Sequence, residues 1–246
     1  MNAFVTGGSR GIGRAIVLKY VNEGCGVGFT YASNRAAAEE TIAEAAKINP
    51  AITVKAYQMN LLDALEIERV CEKVLDDFGD IAAVVNNAAI IKDNAAVLMS
   101  DQEWQDVIAA NLTGPFVVSR AFLMNMISNR LGRLVHISSL SAGGSSGQVN
   151  YAAAKAGLDG LSQTLAKEYG SKGITSNIVT VGFVPTELTK NNMAEKLQKY
   201  WVDHCPARRT GTAEEIAGMV YYLCTKEAGF ISGENIRISA ALTYAP

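Results

Sequence analysis

Apolar runs alternate with amphipathic stretches along nearly the whole chain. Short runs suited to strands fall near residues 2–6, 26–31, 52–58, 81–86, 132–138, 174–181 and 235–239. Between them, apolar positions recur at helical spacing near 12–24, 35–48, 63–77, 101–128, 150–171 and 213–224. Many strands are continuous apolar runs, such as Ile81-Ala82-Ala83-Val84-Val85, as expected when both faces are covered. This alternation predicts one α/β domain over residues 1–246: a doubly wound, seven-stranded parallel sheet with helices on both faces and right-handed crossovers. No linker or internal repeat interrupts it. One stretch, residues 185–211, breaks the rhythm. It reads as a loop with short helices of its own, set where such folds carry a substrate lid.

Composition narrows the class. A chain of 246 residues, 49% hydrophobic and 19% charged, can bury one large core. A net charge of −2 gives no global attraction to nucleic acid or to an anionic membrane. Cys25, Cys71, Cys205 and Cys224 are scattered without a CxxC pair, which suits buried, reduced thiols in a cytoplasmic protein. With only two histidines, His136 and His204, no histidine-rich metal site is expected, and His136 reads as a packed strand residue. No apolar stretch is expected to reach the length of a membrane span. The chain enters a strand at once, so no signal segment is expected either.

In an open α/β sheet ligands bind beyond the carboxyl ends of the strands. Thr6-Gly7-Gly8, Asn86-Asn87, Ser138-Ser139 and Gly182 follow or close strands at that edge. The first is part of Thr6-Gly7-Gly8-Ser9-Arg10-Gly11-Ile12-Gly13. Glycines at 7, 11 and 13 would let the backbone turn sharply and approach a pyrophosphate, and the helix that follows offers free N–H groups. An acid that would select NAD is expected about 20 residues past the glycines. Here Tyr31 is followed by Ser33, Asn34 and Arg35, with no acid before Glu39. Arg10, inside the turn, and Arg35 could hold a 2′-phosphate, or both could be ordinary solvated charges. The missing acid and the place of Arg10 favour the phosphate, hence NADP(H).

Tyr151 and Lys155 stand one helical turn apart, on one helix face. A free phenol titrates near pH 10, and a nearby ammonium should bring it towards working pH as a proton donor. With a dinucleotide as hydride donor, the pair suggests reduction of a carbonyl or the reverse oxidation.

These motifs, with Asn86-Asn87-Ala88, Asn111-Leu112-Thr113-Gly114-Pro115-Phe116 and the Ser139 strand end, resemble in order and spacing the classical short-chain dehydrogenase/reductase family. The likeness spans nearly the whole chain and implies a Rossmann-type domain. Gly147-Gln148-Val149-Asn150-Tyr151, Gly173-Ile174-Thr175-Ser176-Asn177 and Glu214-Glu215-Ile216-Ala217 most resemble the 3-oxoacyl-acyl-carrier-protein reductases, though related sugar, steroid and polyketide reductases share such phrases. The resemblance implies catalytic roles for Asn111, Ser139, Tyr151 and Lys155. Ser139 would hydrogen-bond the carbonyl oxygen, Lys155 would also bind the nicotinamide ribose, and Asn111 would hold a water serving Lys155. The implied cofactor site comprises Gly7, Ser9, Arg10, Gly11, Ile12, Gly13, Tyr31, Ser33, Asn34, Arg35, Asn60, Leu61, Asn87, Ala88, Ala89, Tyr151, Lys155 and Val184. Counting back from Tyr151 at the family's usual spacing lands on Ser138, whereas anchoring on the strand from Gly132 lands on Ser139. Side chains alternate along a strand, so one of the two is expected to face the site, and Ser139 is favoured.

The chain departs from the family pattern at several positions. Asn60 replaces an aspartate near adenine. Ala89 replaces a glycine, which would be strained if the position needs φ > 0. Val181 replaces a proline, and Ile238-Ser239-Ala240-Ala241 replaces Val-Asp-Gly-Gly. Met193, Leu197, Tyr200 and Trp201 could wall an acyl chain or form an ordinary buried stripe. Arg130 and Lys172 match positions that dock an acyl carrier protein near the site entrance, or are helix-end cations. A homotetramer or dimer, or a heteromer, is implied. The favoured substrate is a 3-oxoacyl thioester on acyl carrier protein or CoA. Another ketone or secondary alcohol, or a non-catalytic partner subunit, are the alternatives.

Overall fold

The computed structural model describes residues 1–186 and 195–243. Seven strands form one parallel sheet in the order β3-β2-β1-β4-β5-β6-β7. They are β1 (Asn2–Val5), β2 (Gly26–Tyr31), β3 (Val54–Gln58), β4 (Ala83–Asn86), β5 (Gly132–Ser139), β6 (Ile174–Val181) and β7 (Asn235–Ile238). The helices are α1 (Gly11–Asn22), α2 (Arg35–Ile48), α3 (Ala64–Phe78), α4 (Asp101–Ile108), α5 (Gly114–Asn129), α6 (Val149–Tyr169), α7 (Glu195–His204) and α8 (Ala213–Leu223). Successive connections run one way from β1 to β3 and the other way from β4 to β7. The reversal between β1 and β4 opens a crevice at their carboxyl ends.

Alternation along the strands builds a core on each face. On one face Ala3, Val5, Phe29 and Val135 meet Ile16, Val17 and Tyr20 of α1 and Ile216 and Val220 of α8. On the other, Phe4, Val84 and Leu134 meet Ile67 and Val74 of α3 and Val118 and Phe122 of α5. Side chains start four of the helices, α2 among them through Asn34. Asp63 caps α3 through the backbone N–H groups of Leu65 and Glu66. Ser100 with Glu103, and Thr212 with Glu215, form reciprocal capping boxes on α4 and α8. Helix α1, like α5 and α6, has no side-chain cap and no acid in its first turn.

The predicted helix near 101–128 contains a feature absent from its periodicity. Between α4 and α5 the backbone makes a π-helical turn over Ala109–Thr113, with the Gly114 N–H bonded to the Ala109 carbonyl. The combined 101–129 helix is long and apolar enough to cross a membrane by length and composition, contrary to expectation. It is the core helix of this face, with Val107, Val117, Val118 and Phe122 buried.

The strain expected at Ala89 is absent, because its φ is not positive. The strained alanines are Ala240 (φ 50°) and Ala241 (φ 65°), just past β7.

Candidate functional site

A cleft of about 800 Å³ runs along the carboxyl ends of β1, β4, β5 and β6. Its nucleotide end is made of backbone. Gly7 (φ 68°) and Gly11 (φ 52°) use left-handed conformations. A Cβ at Gly13 would stand 2.0 Å from the Gly7 carbonyl oxygen, so only glycine lets helix and turn meet there. Thr30 Oγ1 accepts the Gly7 N–H, and Asn87 Nδ2 donates to the Thr6 and Gly7 carbonyls. Thr6 Oγ1 accepts the N–H groups of Asn87 and Ala88. The turn is therefore fixed from β2 and β4 while the uncapped N-terminus of α1 faces the cleft. Free N–H groups and a positive dipole end, with no acid to repel an anion, fit a dinucleotide pyrophosphate.

Of the residues predicted for the cofactor, Gly7, Ser9, Arg10, Gly11, Ile12, Gly13, Tyr31, Asn60, Leu61, Asn87, Ala88, Ala89, Tyr151, Lys155 and Val184 line this cleft. Ser33, Asn34 and Arg35 do not. Asn34 caps α2 by accepting the Ala37 N–H, and Arg35 pairs with Glu39 at 2.8 Å on an exposed surface. Asn60 Oδ1 accepts the Leu62 N–H, so its acceptor already serves a local turn.

The chemical end is made of buried side chains. Tyr151 and Lys155 project from α6, are 9% and 3% exposed, and line the cleft with Ser139. The two serines at the end of β5 separate as alternation requires. Ser138 Oγ is buried and donates to the Lys155 carbonyl. Ser139 accepts the Ser141 N–H, and its hydroxyl neighbours the Tyr151 phenol. Lys155 Nζ donates to the Ile137 carbonyl at 2.8 Å and lies 5.5 Å from the Tyr151 ring centroid.

The electrostatics differ from the expectation that Lys155 would bring the phenol down. Burial pushes Tyr151 up to about 12, with the neighbouring Ser139 hydroxyl opposing and the Asp93 charge adding to it. The loss of water outweighs an ammonium already turned to a carbonyl. Burial also brings Lys155 down to about 8. At neutral pH Tyr151 is thus a phenol, the form that donates a proton.

Asn111 lies in the π turn, fully buried and outside the cleft lining. Both of its amide atoms are committed: Oδ1 accepts the Ile90 N–H and Nδ2 donates to the Ile90 carbonyl. The side chain clamps the segment after β4. A second clamp went unnoticed in the sequence. Asn150, also fully buried, donates to the carbonyls of Lys92 and Glu103 and accepts the Tyr151 N–H. Its place beside Tyr151 was the available signal.

Arg130 and Lys172 were expected near the site entrance. Arg130 instead ends α5, where its guanidinium donates to the Ser171 carbonyl, and Lys172 precedes β6. Both lie at the amino ends of the strands, across the sheet from the cleft. Tyr200 is exposed and stacked on His204, while Trp201 lines the cleft. Met193 and the Leu197 side chain lie outside the described residues. All four cysteines are buried free thiols.

The family model described as enoyl-(acyl carrier protein) reductase matches residues 7–243. The 3-oxoacyl-[acyl-carrier-protein] reductase FabG of Escherichia coli (strain K12) is 39% identical over 241 residues, covering 98% of this chain and 96% of that one. The protein of the same name from Staphylococcus epidermidis is 36% identical over 242 residues, covering 98% of both. Among solved structures, levodione reductase superposes with a TM-score of 0.94 at 27% identity over 98% of this chain and 97% of that one. A doubly substituted Serratia marcescens short-chain dehydrogenase/reductase gives 0.92 at 32% identity, with the same coverage. These matches show an oxidoreductase with a Rossmann-type fold, and the chain belongs to the short-chain dehydrogenase/reductase family.

Proposed function

We propose that this protein reduces a 3-oxoacyl thioester, on acyl carrier protein or CoA, to the 3-hydroxyacyl form with NADPH. The observation that carries this reading is the meeting, in one cleft, of an uncapped helix N-terminus with Ser139, a protonated Tyr151 and a buried Lys155. The FabG relatives support the substrate class.

The bound nicotinamide would supply the hydride to the carbonyl carbon. The Tyr151 hydroxyl donates its proton to the carbonyl oxygen, and the Ser139 hydroxyl hydrogen-bonds that oxygen as negative charge builds on it. The phenolate left on Tyr151 is stabilised by the Lys155 ammonium and regains a proton from solvent. Asn111 and Asn150 hold the 90–92 segment against α6 and so fix the orientation of Tyr151.

Arg10 at the cleft supports NADPH over NADH. The exposed Arg35–Glu39 pair is a weak one, so Arg35 can exchange its carboxylate for a phosphate. Arg130 and Lys172 could dock a carrier only for a protomer other than their own. The test follows NADPH oxidation with a 3-oxobutanoyl thioester, alongside NADH and Tyr151→Phe. Turnover that prefers NADPH and is lost in Tyr151→Phe is expected. Equal or better efficiency with NADH would overturn the NADPH assignment. Turnover of levodione but not of thioesters would favour the chemistry named by levodione reductase.

A further inference from the structure

A second cavity, of about 230 Å³, lies beside the cleft. The two share Gly182, Phe183, Val184 and Trp201 as walls. The Phe183 and Trp201 rings stack at 5.4 Å with an interplanar angle of 19° and form the partition. No hydrogen bond pins the indole, because Nε1 is buried without a partner among the described residues. Beyond the partition the chamber is bounded by Cys205, Ile216, Ile238 and Leu242, three of them no more than 6% exposed. Its charged groups satisfy one another. Arg209 donates to both carboxylate oxygens of Glu215, at 2.9 and 2.6 Å, and Glu215 also accepts the Thr212 N–H. Among the described residues no charge there is left to recruit a polar ligand.

The cleft lining mixes polar groups such as Asp93, Ser141, Ser145 and Ser146 with apolar ones such as Ile90, Ile91 and Leu140. Phe183 and Trp201 add an apolar stretch where the cleft meets the chamber. The chamber behind them exceeds the roughly 150 Å³ at which a dry apolar cavity already admits benzene.

We infer that this chamber is a subsite for the distal hydrocarbon tail of the acyl substrate, entered past the Phe183–Trp201 stack. The inference rests on the thioester reading above and deepens it: the preferred substrate carries a medium-length chain. The tail supplies the apolar contacts that the chamber walls lack, and Trp201 is the specificity-determining residue between short and longer chains.

Two measurements test it. The first compares kcat/KM for 3-oxobutanoyl, 3-oxohexanoyl, 3-oxooctanoyl and 3-oxodecanoyl thioesters. Each methylene drawn from water into the chamber raises kcat/KM by up to about fourfold, so efficiency should climb with length and then level when the chamber is full. Cys205→Phe, or Leu242→Phe from the opposite wall should the first not fold, should flatten the series. A flat series in the unaltered protein, with 3-oxobutanoyl thioester turned over, overturns the chamber and leaves the thioester chemistry standing. The second needs no turnover. In a Trp104→Phe background Trp201 is the sole indole, and octanoyl-pantetheine should shift its emission while acetyl-pantetheine does not. No shift overturns the chamber even if no thioester is reduced. A shift without turnover keeps the chamber and rejects the proposed reaction.

Discussion

The two ends of the cleft are built from opposite materials. At the nucleotide end side chains are missing where they would obstruct, and backbone N–H groups are what a phosphate would meet. At the chemical end side chains are buried where water would weaken them, and the backbone anchors Lys155, Ser138 and Ser139. Change at the first end acts through sterics, on nucleotide affinity. At the second it acts through hydrogen bonds and charge, on turnover.

The sharpest test of that division is at β5. Ser139→Ala should lower kcat by about a hundredfold or more, the usual cost of removing a hydrogen bond to a developing oxyanion, with nucleotide affinity unchanged. Ser138→Ala removes only a bond to the Lys155 carbonyl and should leave kcat within a few-fold. The reverse ranking in steady-state kinetics would overturn the assignment of Ser139.

Gly13→Ala tests the other end. Its Cβ collides with the Gly7 carbonyl, so the turn must open. NADPH affinity, read by fluorescence titration, should fall at least about tenfold, the equivalent of about 1.4 kcal/mol. Unchanged affinity would show that the turn adapts.

Beneath the chemical end runs a buried polar chain. Asn86 Nδ2 donates to Ser119 Oγ and to His136 Nδ1, and His136 Nε2 meets Ser176 Oγ, which meets Ser162 Oγ. Burial, aided by the Lys155 charge, takes His136 down to about 4. The unfolded chain takes up this proton near pH 6.5, so between about 6.5 and 4 it binds more protons than the folded protein. Stability should therefore fall as pH drops through that window, by up to about 3 kcal/mol. His136→Gln should remove that part of the slope in denaturant titrations across pH. An unchanged slope would assign acid sensitivity to carboxylates instead.

The smallest effect belongs to the turn after β7, where alanine stands in the conformation that glycine adopts at Gly7 and Gly11. Left-handed backbone costs a non-glycine residue about 1 kcal/mol. Ala240 and Ala241 are exposed, so Ala241→Gly relieves strain without opening a cavity. It should raise the melting temperature by a few degrees and leave kinetics untouched.

The sequence made the layers legible because local pattern fixes them: apolar runs for strands covered on both faces, a 3.6-residue period for helices. It also carried the glycine turn and the Tyr151–Lys155 spacing. What it did not carry depends on where elements meet. The phenol's rise to about 12 comes from burial by the whole fold. The engagement of both Asn111 amide atoms depends on Ile90, a residue remote in sequence. The position of Arg130 and Lys172 across the sheet follows from strand direction, which motif matching ignores. The π turn leaves no mark on composition.

That turn has a consequence for how the helix can change. Each residue advances an α-helix by about 100°, so the extra residue acts as a phase shifter between α4 and α5. Deleting one residue from 109–113 would restore a regular helix and rotate everything on one side of the cut by about that angle. Either the buried face of α5 would turn away from the sheet, or α4 and Asn111 would swing off Ile90. The helix is therefore intolerant of single-residue deletion here, whichever of its residues is removed.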